Sequence, residues 1–242
     1  VSFLIREIGS ACHLLVDGHL LHSSGNPAKT PDQTRPAWEP GVVDYILKGD
    51  RVQIVLHVAN YHHKDAGPIK EIRIGKSEKV HDLISGKQAV NLFLVGSLLT
   101  MGLYHLCLFL LRGRYEPPFY FGVFCCIISF RSLLINDRFI LTMWPELSWE
   151  WLITMEYLSF YMAVPVFACY VASLFHREFS KRILHFSIAV SLVFGMCILA
   201  LPMRIPSYTL QPFQLITLFL FVYVGGVLVS AVRNRRDGSG VF

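Results

Sequence analysis

Apolar and polar residues mix or alternate over the first third of the chain, and then the pattern changes abruptly. From Ala89 to Leu111 the stretch AVNLFLVGSLLTMGLYHLCLFLL holds no full charge. At about 1.5 Å per residue it is long enough to cross the roughly 30 Å hydrocarbon core of a bilayer. Arg112 and Arg114 follow at once, as if to stop it there. Four more apolar runs, 118–135, 151–175, 183–201 and 210–232, have comparable length. The pattern predicts an all-β segment over 1–75, a polar linker helix over 76–88, and an α-helical membrane domain over 89–242 with five visible spans.

The β reading of 1–75 rests on period and turns. Cys12 to Val16 and Leu20 to Ser23 flank Asp17-Gly18, a pair that readily supplies the positive φ angles of a tight hairpin. Gly41 to Leu47 and Arg51 to Ala59 flank Lys48-Gly49-Asp50, which predicts a second hairpin. Within it Val52, Ile54, Leu56 and Val58 alternate with Gln53, Val55 and His57, so one face of the strand is expected to be strongly buried. NPAKTPDQTRPAWEP between them reads as a long loop over one end of a sandwich. Four or five strands make an incomplete sheet, which implies strands upstream. The opening VSFLIREIG lacks the basic, apolar and small-residue parts of a signal peptide, and this too implies upstream sequence. In 76–88 Gly86 weakens the helix, and whether that segment continues into the first span decides whether the soluble part is coupled mechanically to the membrane.

Composition sharpens the division. The chain is 53% hydrophobic and 16% charged, with a mean hydropathy of +0.47, far from the balance of a globular domain. The net charge of +5 does not point to nucleic acid, because the bases cluster beside the apolar runs. Arg112, Arg114, Arg177, Lys181, Arg182, Arg233, Arg235 and Arg236 fall on one side of the spans, and Arg138 and Arg204 on the other. The basic side is expected to be cytoplasmic, which puts the β segment outside. Five of the six cysteines lie in apolar runs and Cys12 alone in the soluble part, so no disulfide can form there. A bacterial periplasm suits such a domain.

Candidate chemistry is sparse. Tyr61, His62 and His63 follow the predicted strand in the sequence NYHHKD, where they could hydrogen-bond a sugar or a carboxylate. Adjacent histidines in extended chain point to opposite sides, a poor geometry for one metal ion, so no metal is expected. Trp38 in the long loop either stacks on a ligand or packs its own loop down. Inside the spans, Arg131 and Glu156 both fall in the outer third of the bilayer and are expected to form an ion pair; the alternative is that Arg131 snorkels to the headgroups. No phosphate loop, zinc motif, paired-cysteine site or nucleophile elbow occurs, so neither catalysis nor a cofactor is expected of this chain.

GLYHLCLFLLRGRYEPPFYFGVFCCIISFRSLL, WEWLITMEYLSFYMAVPVFACYVASLFHREF, YTLQPFQ and AVRNRRDGSG together resemble the bacterial seven-transmembrane receptors with diverse intracellular signalling modules. Tyr104-His105, Tyr120-Phe121-Gly122, Arg131, Glu156-Tyr157-Leu158-Ser159 and Pro165 carry most of the likeness. HLLVDGHLLHSSG and IVLHVANYHHKDAG resemble the second half of a galactose-binding-type jelly roll. These resemblances imply a sensory receptor of the bacterial inner membrane with a periplasmic domain that binds a small molecule such as a carbohydrate. They also imply two further spans and a cytoplasmic output module beyond the present chain. Two rivals stand beside that reading. One is a solute transporter, for which Pro165 would break the third span. The other is a membrane-anchored module for protein interaction or homodimerisation.

Overall fold

The computed structural model describes residues 1–6, 8–47, 49–65, 70–113, 115–135 and 137–234. Arg114, Arg235 and Arg236, counted above for orientation, and Lys48 of the second expected turn lie outside the described residues. The chain divides into two compact units, Val1–Leu92 with Leu133–Ile153, and Phe93–Ser132 with Thr154–Phe242.

The first unit is built on six strands: β1 (Ser2–Ile5), β2 (Ala11–Val16), β3 (His19–Ser24), β4 (Gly41–Asp44), β5 (Ile54–Ala59) and β6 (Arg73–Gly75). They form two antiparallel three-stranded sheets, ordered β4-β1-β6 and β3-β2-β5. Asp17 and Gly18, with φ of 49° and 79°, make the turn between β2 and β3, because both central positions of such a hairpin turn need positive φ. The sheets share one core in which Phe3 and Ile5 from β1 meet Cys12, Leu14 and Val16 from β2. Burial pushes the Cys12 thiol up to about 11, so it behaves as a small core hydrophobe. At one end Asp17 ties segments together, accepting from the Tyr45 hydroxyl at 2.6 Å and from the Gln53 amide at 2.9 Å. The Asp17 carboxylate in turn pushes the Tyr45 phenol up.

Two expectations need correction. The segments on either side of residues 48–50 do not form a hairpin: β4 pairs with β1 and β5 pairs with β2, so the chain crosses from one sheet to the other. Nor is the apolar face of β5 strongly buried. Ile54 and Val58 are 46% and 40% exposed although they sit opposite Val16 and Cys12, which are fully buried. The reason is position: β5 is the edge of its sheet, and the facing sheet has only three strands to cover it.

The linker is helical and continuous with the first span. Helix α1 (Ser77–Leu111) runs through Gly86, around which a side chain would meet open space, so the glycine serves no packing purpose. Its first residue is tied to the sheets. Asp44 at the end of β4 accepts from the Ser77 hydroxyl at 2.8 Å and from the Ser2 hydroxyl, and His81 lies 3.7 Å from it. These hydroxyl donors, Ser2 first, hold the Asp44 carboxyl below its ordinary range.

The remaining elements are α2 (Glu116–Leu134), the single turn α3 (Ile140–Met143), α4 (Trp149–Leu174), α5 (Lys181–Ala200), a 3-10 turn at Pro206–Tyr208 and α6 (Leu210–Arg233). Five helices among the described residues are long and apolar enough to cross a membrane. Their packing is that of membrane helices. On α6 a seam of Phe213, Thr217, Leu220, Val224, Val227 and Ala231 is buried, spaced alternately by four and three residues. Leu215, Phe219, Val222 and Val229 are at least 64% exposed, so both faces of the helix are apolar. On α5 the buried stripe is Ser187, Ser191, Gly195 and Ile198, mostly small residues that let helices approach. A close approach joins α1 to α2. A Cβ on Gly102 would lie 2.8 Å from Cys126 Sγ and 3.0 Å from the Gly122 carbonyl oxygen, and one on Gly122 would lie 2.9 Å from the Gly102 oxygen. Helix α4 continues unbroken through Pro165, which removes the discontinuity that a transporter reading sought there.

Candidate functional site

Residues 133–153, which link α2 to α4, belong to the first unit, and their contacts build a site there. The long loop after β3 folds back on that strand. Ser24 Oγ donates to the Ala37 carbonyl at 3.0 Å, the Glu39 amide donates to Ser24 Oγ at 3.3 Å, and His22 Nε2 donates to the Glu39 carbonyl at 3.0 Å. Burial lowers the His22 pKa, and its bond to the Glu39 carbonyl opposes that shift in part. Trp38 is thereby fixed and only 8% exposed.

Across from it, Arg138 stacks its guanidinium on the Trp38 ring at 3.5 Å from the centroid and donates to the Leu134 carbonyl at 3.0 Å. Such a desolvated cation–π contact is worth on the order of 2 kcal/mol. It helps to hold Arg138 at a φ of 50°, a left-handed conformation that costs a non-glycine residue roughly 1–2 kcal/mol. Next to it, Asp137 Oδ1 accepts from Arg6 through Nη2 at 2.7 Å and Nε at 3.2 Å. Both side chains are mostly buried, so little water screens the pair. At the far end of the segment, Ser148 precedes α4 and its carbonyl accepts from the Leu152 amide at 3.0 Å, and Trp149 is buried, with the rings of His62 and His63 edge-on to it at 6.4 and 6.2 Å. A cavity of about 530 Å³ lies among these groups, bordered by Trp38, Arg138, Arg6, Asp137, Gln88 and Trp149.

The second unit has its own polar centre. Arg131 on α2 donates to the backbone carbonyl of Glu156 and, at 3.2 Å, to the hydroxyl of Ser159. Its guanidinium lies 5.1 Å from the Phe160 ring centroid. An apolar cavity of about 270 Å³ between Phe124, Phe160, Phe167 and Phe221 opens beside it. Nearby, Tyr161 is fully buried and shares a hydrogen bond of 2.8 Å with Thr209.

A family model described as 7TM diverse intracellular signalling matches residues 87–242, more than half of the chain. The chain belongs to that family. Neither the curated proteins nor the solved structures offer a match. The chain is thus a multi-pass membrane protein of a signalling receptor family, with small β-sheets ahead of its apolar helices.

In this receptor chain, the residues singled out from the sequence fall in three places. Trp38, His62 and His63 converge on the 137–149 segment, Trp38 through Arg138 and the histidines through Trp149. Tyr61 stays apart from the cavity and donates its hydroxyl to the Lys29 carbonyl at 2.8 Å. Arg131 and Glu156 are adjacent through the Glu156 backbone. From the sequence, Arg6 and Asp137 go unremarked, Arg138 reads only as a loop base and Trp149 only as an interfacial aromatic. One signal was present: Arg138 is one of two bases in the loops opposite the basic side.

Proposed function

We propose that the chain is the sensing and transmembrane part of a receptor in a bacterial inner membrane. Its β segment faces the periplasm, takes a small solute, and biases the helix bundle toward a second arrangement that a cytoplasmic module reads. The observation that carries this reading is the placement of residues 133–153 in the same compact unit as the β-sheets. The chain passes between the two units within α1, at the end of α2 and within α4, so a change in the first unit has three covalent routes into the second. A ligand moves such an equilibrium only by its differential affinity for the two arrangements. Arg131 with Glu156, read as an ion pair, is the contact proposed to differ between them. The basic flanks at Arg112, Arg177, Lys181, Arg182 and Arg233 support the orientation.

The test is a fusion of the complete chain to a diguanylate cyclase at its basic, carboxyl-terminal side. Cyclic dinucleotide is then measured as monosaccharides, oligosaccharides and small carboxylates are added outside. A response to one class that is lost on removing residues 1–75 supports the reading. A response that survives that removal, or none to any class from a folded fusion, contradicts it and favours an interaction or dimerisation module.

A further inference from the structure

We propose that the 270 Å³ cavity of the second unit holds one acyl chain of a phospholipid. This goes beyond the receptor reading and rests only on the placement of these helices in a bilayer. Shape and chemistry of the wall both point to that occupant.

Shape comes first. Helix α2 lines the cavity from Phe124 to Arg131, α4 from Phe160 to Phe167 and α6 from Thr217 to Val224. Each stretch advances by seven residues, which is about 10 Å of helical rise. The ends match: Arg131 lies over the Phe160 ring at 5.1 Å, and Phe124 meets Phe167 at 5.2 Å. The cavity is therefore a slot parallel to the helices. Its volume spread over that length leaves a cross-section of about 26 Å², against roughly 80 Å² for a helix 10 Å across. A neighbouring helix is too wide for it, and an extended hydrocarbon chain is not.

The chemistry agrees. The wall is apolar apart from Arg131 and Thr217. Arg131 donates to the Glu156 carbonyl and the Ser159 hydroxyl, and the Thr217 hydroxyl donates to the Phe213 carbonyl at 2.8 Å. A guest without polar groups thus leaves these bonds in place. Apolar cavities stay dry and take up apolar guests, and roughly 150 Å³ is enough for benzene. Left unfilled, the lining would forgo dispersion contacts on one side. Phe221 on the wall is 58% exposed, so the slot adjoins the lipid-facing surface. Lipid tails are as apolar as leucine, so close fit rather than hydrophobic drive selects the chain. Arg131 and Thr217 mark one end of the slot, where the ester of the lipid would lie, with the tail running toward Phe124 and Val224.

The full chain is reconstituted in nanodiscs of phosphatidylcholine with a diazirine near the middle of one acyl chain, irradiated, and its adducts mapped by mass spectrometry. Ala163, Val164 and Thr217 are 4%, 9% and 8% exposed, whereas Leu192, Val193 and Met196 on α5 are 52%, 58% and 61% exposed. Adducts on the first three should nevertheless exceed those on the second three by about fivefold or more. Ala163→Leu narrows the slot and should cut the Thr217 adducts by about fivefold or more while those on α5 hold. The map of the parent decides by itself where that variant fails to assemble. Labelling that follows exposure would mean annular lipid only and overturn the proposal. Slot labelling by a free adamantyl diazirine and not by the phospholipid would overturn it in favour of a free lipophile. No slot labelling by either would overturn it in favour of a further helix or a second copy packed over the opening.

Discussion

The two units handle polar groups in opposite ways. In the first, charged and aromatic side chains from distant segments meet directly: Arg6 with Asp137, Arg138 with Trp38, His62 and His63 with Trp149. In the second, polar side chains mostly bond backbone nearby, as Ser132 does to Ile128, Ser187 to Leu184 and Thr217 to Phe213. Tertiary contact there comes from ring against ring, as in Tyr161 on Phe213 at 4.5 Å, and from glycine against glycine. The difference follows from the solvent each unit is built for. Hydrocarbon offers no partner to an unpaired backbone or hydroxyl group and no hydrophobic drive to bring helices together, so local satisfaction and close fit do the holding. Water does offer partners, and long-range pairs there must exclude it to be worth anything, as the mostly buried Arg6–Asp137 pair does.

The comparison can be broken most severely at the glycine contact. Gly102→Leu places carbons where Cys126 and the Gly122 backbone already stand, and overpacking of this kind costs about 1–3 kcal/mol. Thermal unfolding followed by helix signal should shift strongly, while native hydrogen exchange in β1 and β2 stays as in the parent.

Arg6→Ala is expected to act on the other unit alone. It leaves Asp137 without its cation at a cost of about 2 kcal/mol. The exchange Arg6→Asp with Asp137→Arg should recover part of the loss in a double-mutant cycle, and equality with the sum of the single changes would show that the pair is not coupled.

Arg138 offers a finer probe. Both Arg138→Ala and Arg138→Gly lose the stack on Trp38, but glycine also relieves the left-handed backbone. The alanine variant should therefore be the less stable by about 1 kcal/mol. Equal stability would mean that the φ of 50° carries no cost.

The smallest effect is that of pH on the start of α1. The Asp44 carboxyl is held below its ordinary value of 3.8 in the folded chain. Its contribution is therefore complete above that value and is lost as pH falls through the lower folded value. Asp44→Asn should lower stability slightly in the neutral region and flatten the acid limb of the unfolding curve below about pH 4, so that parent and variant converge at low pH.

Much of this architecture was legible in the residues. The Asp17-Gly18 turn, the strands beside it and the five apolar helices follow from period, turn chemistry and length. What escaped has physical causes. β1 is SFLI, a four-residue strand central in its sheet, and β6 is three residues, too short for a period to register. β5 carries a buried-strand pattern yet lies at an edge, because alternation reports which side is apolar and not what covers it. The contact between Arg138 and Trp38 joins residues a hundred apart, and no local rule brings them together. Trp38 itself was readable only as a loop aromatic. Its partner turned out to be a protein guanidinium on one face, at the border of a cavity.

The central claim is that residues 137–149 are held against the β part of the chain. Hydrogen–deuterium exchange on the full chain in lipid nanodiscs, parent against Arg6→Ala, tests it most directly. Protection of backbone amides over 137–147 in the parent, lost together with protection around Trp38 in the variant while α5 and α6 stay unchanged, is the expected result. Free exchange over 137–147 in the parent itself would contradict the account.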